Sequence, residues 1–259
     1  MNSTTSGMQK LSYHSMNESW MKFDIVLQGE CTDFTKTIIA EYRKLPFVEN
    51  IILSTYENSH ILDDVNVIFN ELVSPRGLGN RNLQINTSRN GLSLVQSKYC
   101  IKMRTDQLIR DMPLMYEYWK NDKREDGKVF VMGMYKAFPY HPRDHVFWGR
   151  TEDVVKVFDI PFDIERGSNQ DYTYNTRAET YIGQYYYARF DPSIWEHIND
   201  PLTFLVDSAI RRNEALEKDY KLRDRVFVPF PRVSMAWPKH GLNEYHYHIG
   251  KAYTEYWAN

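Results

Sequence analysis

Two cysteines, Cys31 and Cys100, are the only thiols in this 259-residue chain. That is too few for a disulfide-stapled fold, suits a reducing compartment, and leads us to expect two free thiols. Net charge is equally scarce: 32 basic residues against 34 acidic ones leave −2, without the basic excess of a protein that clamps a phosphate backbone. Nucleic acid is therefore excluded as the main partner. No apolar run of 18 or more residues could span a bilayer, which argues against an integral membrane protein. The opening MNSTTSGMQKLSYHSMNESW lacks both the basic-then-apolar pattern of a signal peptide and the Arg-rich pattern of a transit peptide. Residues 1–20 are thus expected to be a flexible segment, and a cytoplasmic location is the default. Internal repeats and low-complexity tracts are missing as well.

What is present is a set of short apolar strands, each closed by polar or glycine-bearing loops. FDIVL at 23–27 ends in Gln28, Gly29 and Glu30, and a helix carrying Phe34, Ile38, Tyr42 and Leu45 follows, capped by Thr32 or Asp33 and stopped by Pro46. NIILST at 50–55 and Val65 to Phe69 supply two further strands, so the early chain reads as a wound α/β core. SPRGLGN at 74–80 must be a loop. A polar helix follows with Ile85, Ser88, Leu92 and Val95 on one face, and then a strand from Tyr99 to Met103. Beyond it, Leu108, Met112, Met115 and Tyr116 predict a helix that Pro113 breaks or kinks.

In the second half, 129–134 and 145–149 read as strands, Thr151 as the cap of a short helix, and 176–189 as an aromatic helix. Residues 163–175 lack periodicity and are expected to form a mobile active-site loop. Leu202 to Leu216 predicts a longer helix, 226–228 a short strand, and the tail from Arg232 an irregular, histidine-rich segment. The division is a flexible 1–20 and one domain over 21–259, whose two halves are 21–106 and, with the tail, 107–259. An apolar strand that stops at a carboxylate delivers it to the carboxyl edge of a sheet, where open α/β folds bind ligands. Asp106, which closes KYCIKMRTD, is the first candidate metal ligand on that ground.

Four blocks in order, FDIVLQG, IILSTYENS, NRNLQINTSRNGLSLVQSKYCIKMRTD and DHVFWGRTEDVVKVFDIP, resemble the WavE lipopolysaccharide-synthesis family of glycosyltransferases. The resemblance spans most of residues 23–182. It implies a GT-A-like, Rossmann-like α/β fold with a mixed central sheet flanked by helices. It also implies transfer of a sugar from a nucleotide-diphospho-sugar donor to a hydroxyl of a glycan or glycolipid acceptor. Such work belongs to surface-polysaccharide assembly at the inner face of the membrane, with peripheral membrane association as one option. Enzymes of this type carry an Asp-x-Asp motif that holds Mn²⁺ or Mg²⁺ against the diphosphate. The matching element here is Arg104-Thr105-Asp106. Asp106 then serves as metal ligand, or, without a metal, Arg104 and Lys102 neutralise the diphosphate directly.

Donor contacts are expected from Gln28, Gly29 and Glu30 after the first strand and from Tyr56 and Glu57 after the second. Asn80, Arg81 and Gln84 open the polar helix, whose backbone N–H groups favour anions. Arg81 is the better phosphate ligand because its planar fork grips two oxygens. An inverting transfer needs a base for the acceptor hydroxyl, and Glu179, at the start of the aromatic helix, is the choice, with Asp171 in reserve. His246 and His248, two apart in an extended tail, are further metal-ligand candidates. Tyr185, Trp195 and neighbouring rings offer an acceptor platform or ordinary core. Two rivals remain beside this reading: a sugar nucleotidyltransferase, suggested by the glycine and arginine of SPRGLGNR, and a non-catalytic glycan-binding subunit of an assembly complex.

Overall fold

A computed structural model describes residues 20–56, 65–122, 127–134, 139–163, 177–195, 217–219, 221, 226–230, 232–237 and 242–248. Strand β1 (Phe23–Gln28) leads through α1 (Asp33–Tyr42) to β2 (Val48–Tyr56) and β3 (Asn66–Asn70). The backbone N–H of Thr32, which precedes α1, donates to the Thr35 hydroxyl at 2.9 Å, satisfying a donor that the helix end would leave orphaned. A 3₁₀ turn (Leu78–Asn80) opens α2 (Arg81–Leu92), which feeds β4 (Tyr99–Arg104). The second half supplies β5 (Leu108–Ile109), α3 (Met112–Asn121), β6 (Val129–Val131), β7 (Val146–Arg150), α4 (Thr151–Phe158), α5 (Ala178–Ala188), β8 (Phe227–Pro229), β9 (Arg232–Trp237) and β10 (Leu242–His248).

Seven strands form one sheet in the order β3-β2-β1-β4-β7-β6-β8, and β10-β9-β5 form a small second sheet. Within the large sheet only β7 runs against the rest. This is the mixed α/β arrangement expected, a central sheet flanked by helices. The chain winds outward from β1 to β2 and β3, then returns to place β4 on the other side of β1. That reversal opens a crevice between the carboxyl ends of β1 and β4, the place where wound α/β sheets take their ligands.

Period-2 alternation sorts the strand residues into two layers. Phe23, Ile25 and Leu27 of β1 and Tyr99, Ile101 and Met103 of β4 pack with α1, α3 and the small sheet. Phe23 sits edge-on to both Trp119 and Trp148, with centroids 4.9 and 5.2 Å away, geometry that adds about 0.5–1.5 kcal/mol per pair beyond simple burial. Val26 and Cys100 face the other way, into a layer with α2, α4 and α5. Lys102 and Arg104 share the parity of Cys100, so the same alternation turns them toward the α2, α4 and α5 side.

Three expectations need correction. Pro113 neither breaks nor kinks a helix: it occupies the first turn of α3, where its missing N–H would be unpaired anyway, and Leu108 lies in β5 instead. Thr151 is the first residue of α4 rather than its cap, and its hydroxyl donates to the Ser97 carbonyl at 2.7 Å. The tail is not irregular, since β9 and β10 pair antiparallel and β9 also pairs with β5. Helix 202–216 and most of the loop 163–175 lie outside the described residues. Cys31 and Cys100 are both buried thiols, and no described helix is long and apolar enough to cross a membrane.

Helix α5 seats against the turn before β7 through Gly183, where an added Cβ would overlap the Tyr140 carbonyl oxygen. Backbone cannot yield as a flexible side-chain tip can. Gly183→Ala is therefore expected to cost about 1–3 kcal/mol, read as a lowered urea midpoint with unchanged m-value.

Candidate functional site

A cavity of about 330 Å³ lies at the β1/β4 crevice. Gln28, Gly29, Glu30 and Thr32 line it from β1, Tyr56 from β2, Gly79, Asn80, Leu83 and Gln84 from the start of α2, and Arg104, Thr105 and Asp106 from β4. Eight of the expected donor-site residues thus meet at one place: Gln28, Gly29, Glu30, Tyr56, Asn80, Gln84, Arg104 and Asp106. The N-terminus of α2 borders the cavity; its first N–H groups are engaged by the preceding turn, Asn80 with Gly77 O and Asn82 with Arg76 O, and its contribution to an anion there is the partial positive charge of the helix end.

Gly29 closes the loop after β1. Its φ is +129° and a Cβ there would lie 2.8 Å from the Thr105 hydroxyl oxygen. Only glycine meets both demands. Its N–H donates to Ser54 O at 3.1 Å, and Thr105 N donates to Gln28 O at 3.2 Å. These two bonds tie the ends of β1, β2 and β4 into one rim. Burial raises the pKa of the Tyr56 phenol, so it enters the cavity as a neutral hydrogen-bonding ring.

Arg104 is the charged centre of the floor. Its Nε and Nη2 donate to the two carboxylate oxygens of Asp106, both at 2.9 Å, and its Nη1 donates to Asp144 Oδ2 at 3.0 Å. Burial works against the guanidinium charge, but the two carboxylates overcome it and drive its pKa upward. Asp144 is itself buried and also accepts from Gln84 Nε2 at 3.1 Å. Burial would raise its pKa, yet the charges of Arg104, His145 and Lys102 hold it well below the usual carboxylate range.

Around this pair lies a polar interior. Nδ1 of His145 donates to Gln107 Oε1 at 2.7 Å, and Nδ1 of His141 lies 2.6 Å from the Thr180 hydroxyl on α5. Burial pushes both imidazoles down, to about 4 for His145 and about 3 for His141. Both are neutral rings at neutral pH. Glu179, one residue before Thr180, moves the other way: burial and the nearby charge of Asp144 lift its carboxyl to about 7. A carboxyl poised at that value is suited to general-base work at physiological pH, although Glu179 is not among the residues that line the cavity.

Other expected site residues stand elsewhere. Arg81 does not line the cavity. It is buried, with Nε 3.1 Å from Leu78 O and 3.3 Å from Asp163 Oδ2, and its guanidinium carbon sits 4.7 Å from the Tyr181 ring centre. Lys102 is wholly enclosed, 5.1 Å from the Phe158 ring centre, with Nζ donating to the Asp144 backbone carbonyl at 3.4 Å. Burial lowers its pKa to about 8, against the opposing pull of Asp144, so it stays charged without reaching the cavity. Glu57 and Asp171 fall outside the described residues. For His246 and His248 only the backbone is described, pairing with Ser234 and Arg232 across β9 and β10.

Mn²⁺ and Mg²⁺ need several hard oxygen ligands. Both Asp106 oxygens instead accept from Arg104, and among the described residues no cluster of three metal-binding side chains occurs. The donor set on the described side of the cavity does not fit a divalent ion unless Asp106 first releases Arg104. Nor does Asp106 cap a helix: α3 begins after Asp111.

Sequence reasoning missed Asp144, His141, His145 and Gln107. For Asp144, His141 and His145 the signal is the polar string HPRDH, which precedes an apolar strand instead of following one, and Gln107 directly follows Asp106.

No family model matches the chain, and no curated protein does. Among solved structures, similarity is found to a Bacillus anthracis protein assigned as a glucose-1-phosphate thymidylyltransferase, in complex with a sucrose. The identity is 10%, the TM-score 0.36, and the match covers 54% of this chain and 76% of that one. HddC from Yersinia pseudotuberculosis matches at 11% identity and TM-score 0.35, over 59% of this chain and 87% of that one.

Proposed function

We propose that the chain is a glycosyltransferase that binds a nucleotide-diphospho-sugar and passes the sugar, with inversion, to a hydroxyl of a surface glycan or glycolipid. The observation that carries this reading is the cluster at Asp144, which accepts from Arg104 on the cavity floor and belongs to the turn whose His141 meets Thr180, the residue after Glu179, at the start of α5. The order of the four WavE-like blocks supports it.

In this reading the diphosphate lies between the α2 N-terminus and Arg104, with Tyr56 beside the base. Glu179 takes the proton of the acceptor hydroxyl as its oxygen forms a bond to the anomeric carbon. The bond from that carbon to the diphosphate breaks on the opposite face, and the departing diphosphate keeps the electron pair. Arg104 and the helix N-terminus meet the charge that develops there. The clamp on Arg104 spares it reorganisation during the step. Mn²⁺ or Mg²⁺ would have to displace Arg104 from Asp106, so donor binding is expected to survive chelation.

A panel of nucleoside diphosphates, with and without Mn²⁺ and with EDTA, tests this by thermal shift. The matching nucleotide at a hundredfold excess over its Kd should raise Tm by on the order of 5–10 °C, with EDTA making little difference, and Arg104→Met should abolish the shift. If no nucleotide raises Tm, or Arg104→Met binds as well as the parent, the reading fails. The glycine-bearing turn at 77–80 lines the same cavity and favours one second reading, sugar nucleotidyl transfer. Pyrophosphate release from a nucleoside triphosphate plus a sugar phosphate would select it.

A further inference from the structure

Strand β7 runs against β4, with Val146 opposite Met103. The turn that precedes β7 is thereby brought to the carboxyl edge of β4, beside the cavity. It carries two attachments. Asp144 accepts from Arg104 at 3.0 Å and from Gln84 at 3.1 Å, both cavity-lining residues. His141 meets the Thr180 hydroxyl at 2.6 Å, and Gly183 packs against the Tyr140 carbonyl, which seats the first turn of α5 on the same segment. One rigid turn therefore holds the donor side and Glu179 together.

From this geometry we infer that Asp144 is a positioning residue that joins the two halves of the site: it clamps Arg104 for the diphosphate and presents a fixed negative charge to Glu179. The inference rests on the glycosyltransferase reading for its purpose, though not for its physics. The groups that face Glu179 can be named by element. Asp144 comes from the turn before β7, Arg177 from the start of α5, and Arg104 and Lys102 from β4. From α2, Arg81 is engaged with Asp163, and Asp153 of α4 faces the other end of α5 near Tyr186.

Asp144 is the negative member of this set that raises the Glu179 carboxyl, while Arg177 and Arg104 lower it. A diphosphate that engages Arg104 adds negative charge on the same side. Glu179 then becomes a stronger base when the donor is bound. The same shift makes the loaded enzyme hold the Glu179 proton to higher pH, so the acidic limb of transfer should lie above the midpoint of the free enzyme.

The test is a ¹³C titration of the Glu179 carboxyl in the full chain, with the resonance assigned by its loss in Glu179→Gln. Asp144→Asn should lower the midpoint by about one pH unit and Lys102→Met, which removes a cation of similar volume, should raise it by about as much. Opposite shifts from two neighbouring substitutions are not what a merely structural role gives. Should Asp144→Asn fail to fold, Asp144→Ser, which keeps a hydrogen-bonding oxygen without the charge, takes its place and should lower the midpoint in the same direction. A midpoint that moves in neither folded variant, or moves the same way in both, overturns the proposal. Full transfer activity in Glu179→Gln with the midpoints moving as stated would sink the base assignment and leave the Asp144 link standing.

Discussion

Glu179→Gln is expected to lower kcat for donor-dependent sugar transfer by about 10²–10⁴-fold, the usual contribution of a positioned general base, with donor Kd nearly unchanged. The amide keeps the shape and one acceptor oxygen but cannot take a proton. Because burial and Asp144 lift the carboxyl to about 7, the parent enzyme should lose activity below that pH, tenfold per unit, as the base becomes protonated. The variant should lack this acidic limb. Stability should move the other way: a carboxyl raised above its unfolded value costs stability once it ionises, so Gln at 179 should not be less stable than the parent at pH 8. Steady-state kinetics from pH 5.5 to 8.5, paired with a melting curve for each protein, check the whole pattern. A variant that melts normally and transfers sugar at the parent rate would remove Glu179 from the chemistry.

The parts of the site that were legible share one physical cause. Gln28, Gly29, Tyr56, Arg104 and Asp106 end or follow parallel strands, and parallel strands send all their carboxyl ends to one edge. Period-2 alternation further predicts that Lys102 and Arg104 share a face, which they do. Alternation says nothing of depth, and Lys102, two residues inside the strand end, is sealed under Phe147 and Phe158. Arg81 was misread through nearness in sequence. Asn80 ends the turn before α2 in a left-handed conformation and Gln84 stands one turn into the helix, and both reach the cavity, whereas Arg81 is held away by Leu78 O and Asp163. Its partner Asp163 is 82 positions later in the chain, beyond any local pattern. Asp144 was hidden for a different reason. A residue before a strand reaches the ligand edge only if that strand is antiparallel, and nothing in VFWGR reports the direction of β7. Pro113 shows the converse, since a proline reads as a breaker or a starter depending on where the helix begins.

The same buried groups predict how the fold responds to acid. Stability is expected to fall between about pH 6.5 and 4.5 with a slope of about 1.4 kcal/mol per pH unit. His141 and His145 have folded pKa values of about 3 and about 4, against 6.5 for an unperturbed imidazole. Below pH 6.5 the unfolded chain takes up two protons that the folded chain refuses, which favours unfolding. Glu179 acts in the opposite sense, because the folded carboxyl holds its proton from about 7 downward while the unfolded one waits until 4.5. Within the window the unfolded state thus binds two protons more at the histidines and one fewer at the glutamate, a net excess of one. Removing the glutamate term exposes both histidines: Glu179→Gln should steepen the slope to about 2.8 kcal/mol per pH unit. Below 4.5 the two proteins should converge on that steeper line until His145 titrates near 4. Asp144, held far below its ordinary value by Arg104, His145 and Lys102 against the effect of burial, adds its own loss only under still more acid conditions. Urea unfolding at half-unit pH steps measures both slopes. Equal slopes in the parent and in Glu179→Gln would show that the carboxyl is not raised in the fold, and the acidic limb expected of the enzyme would have to come from another group.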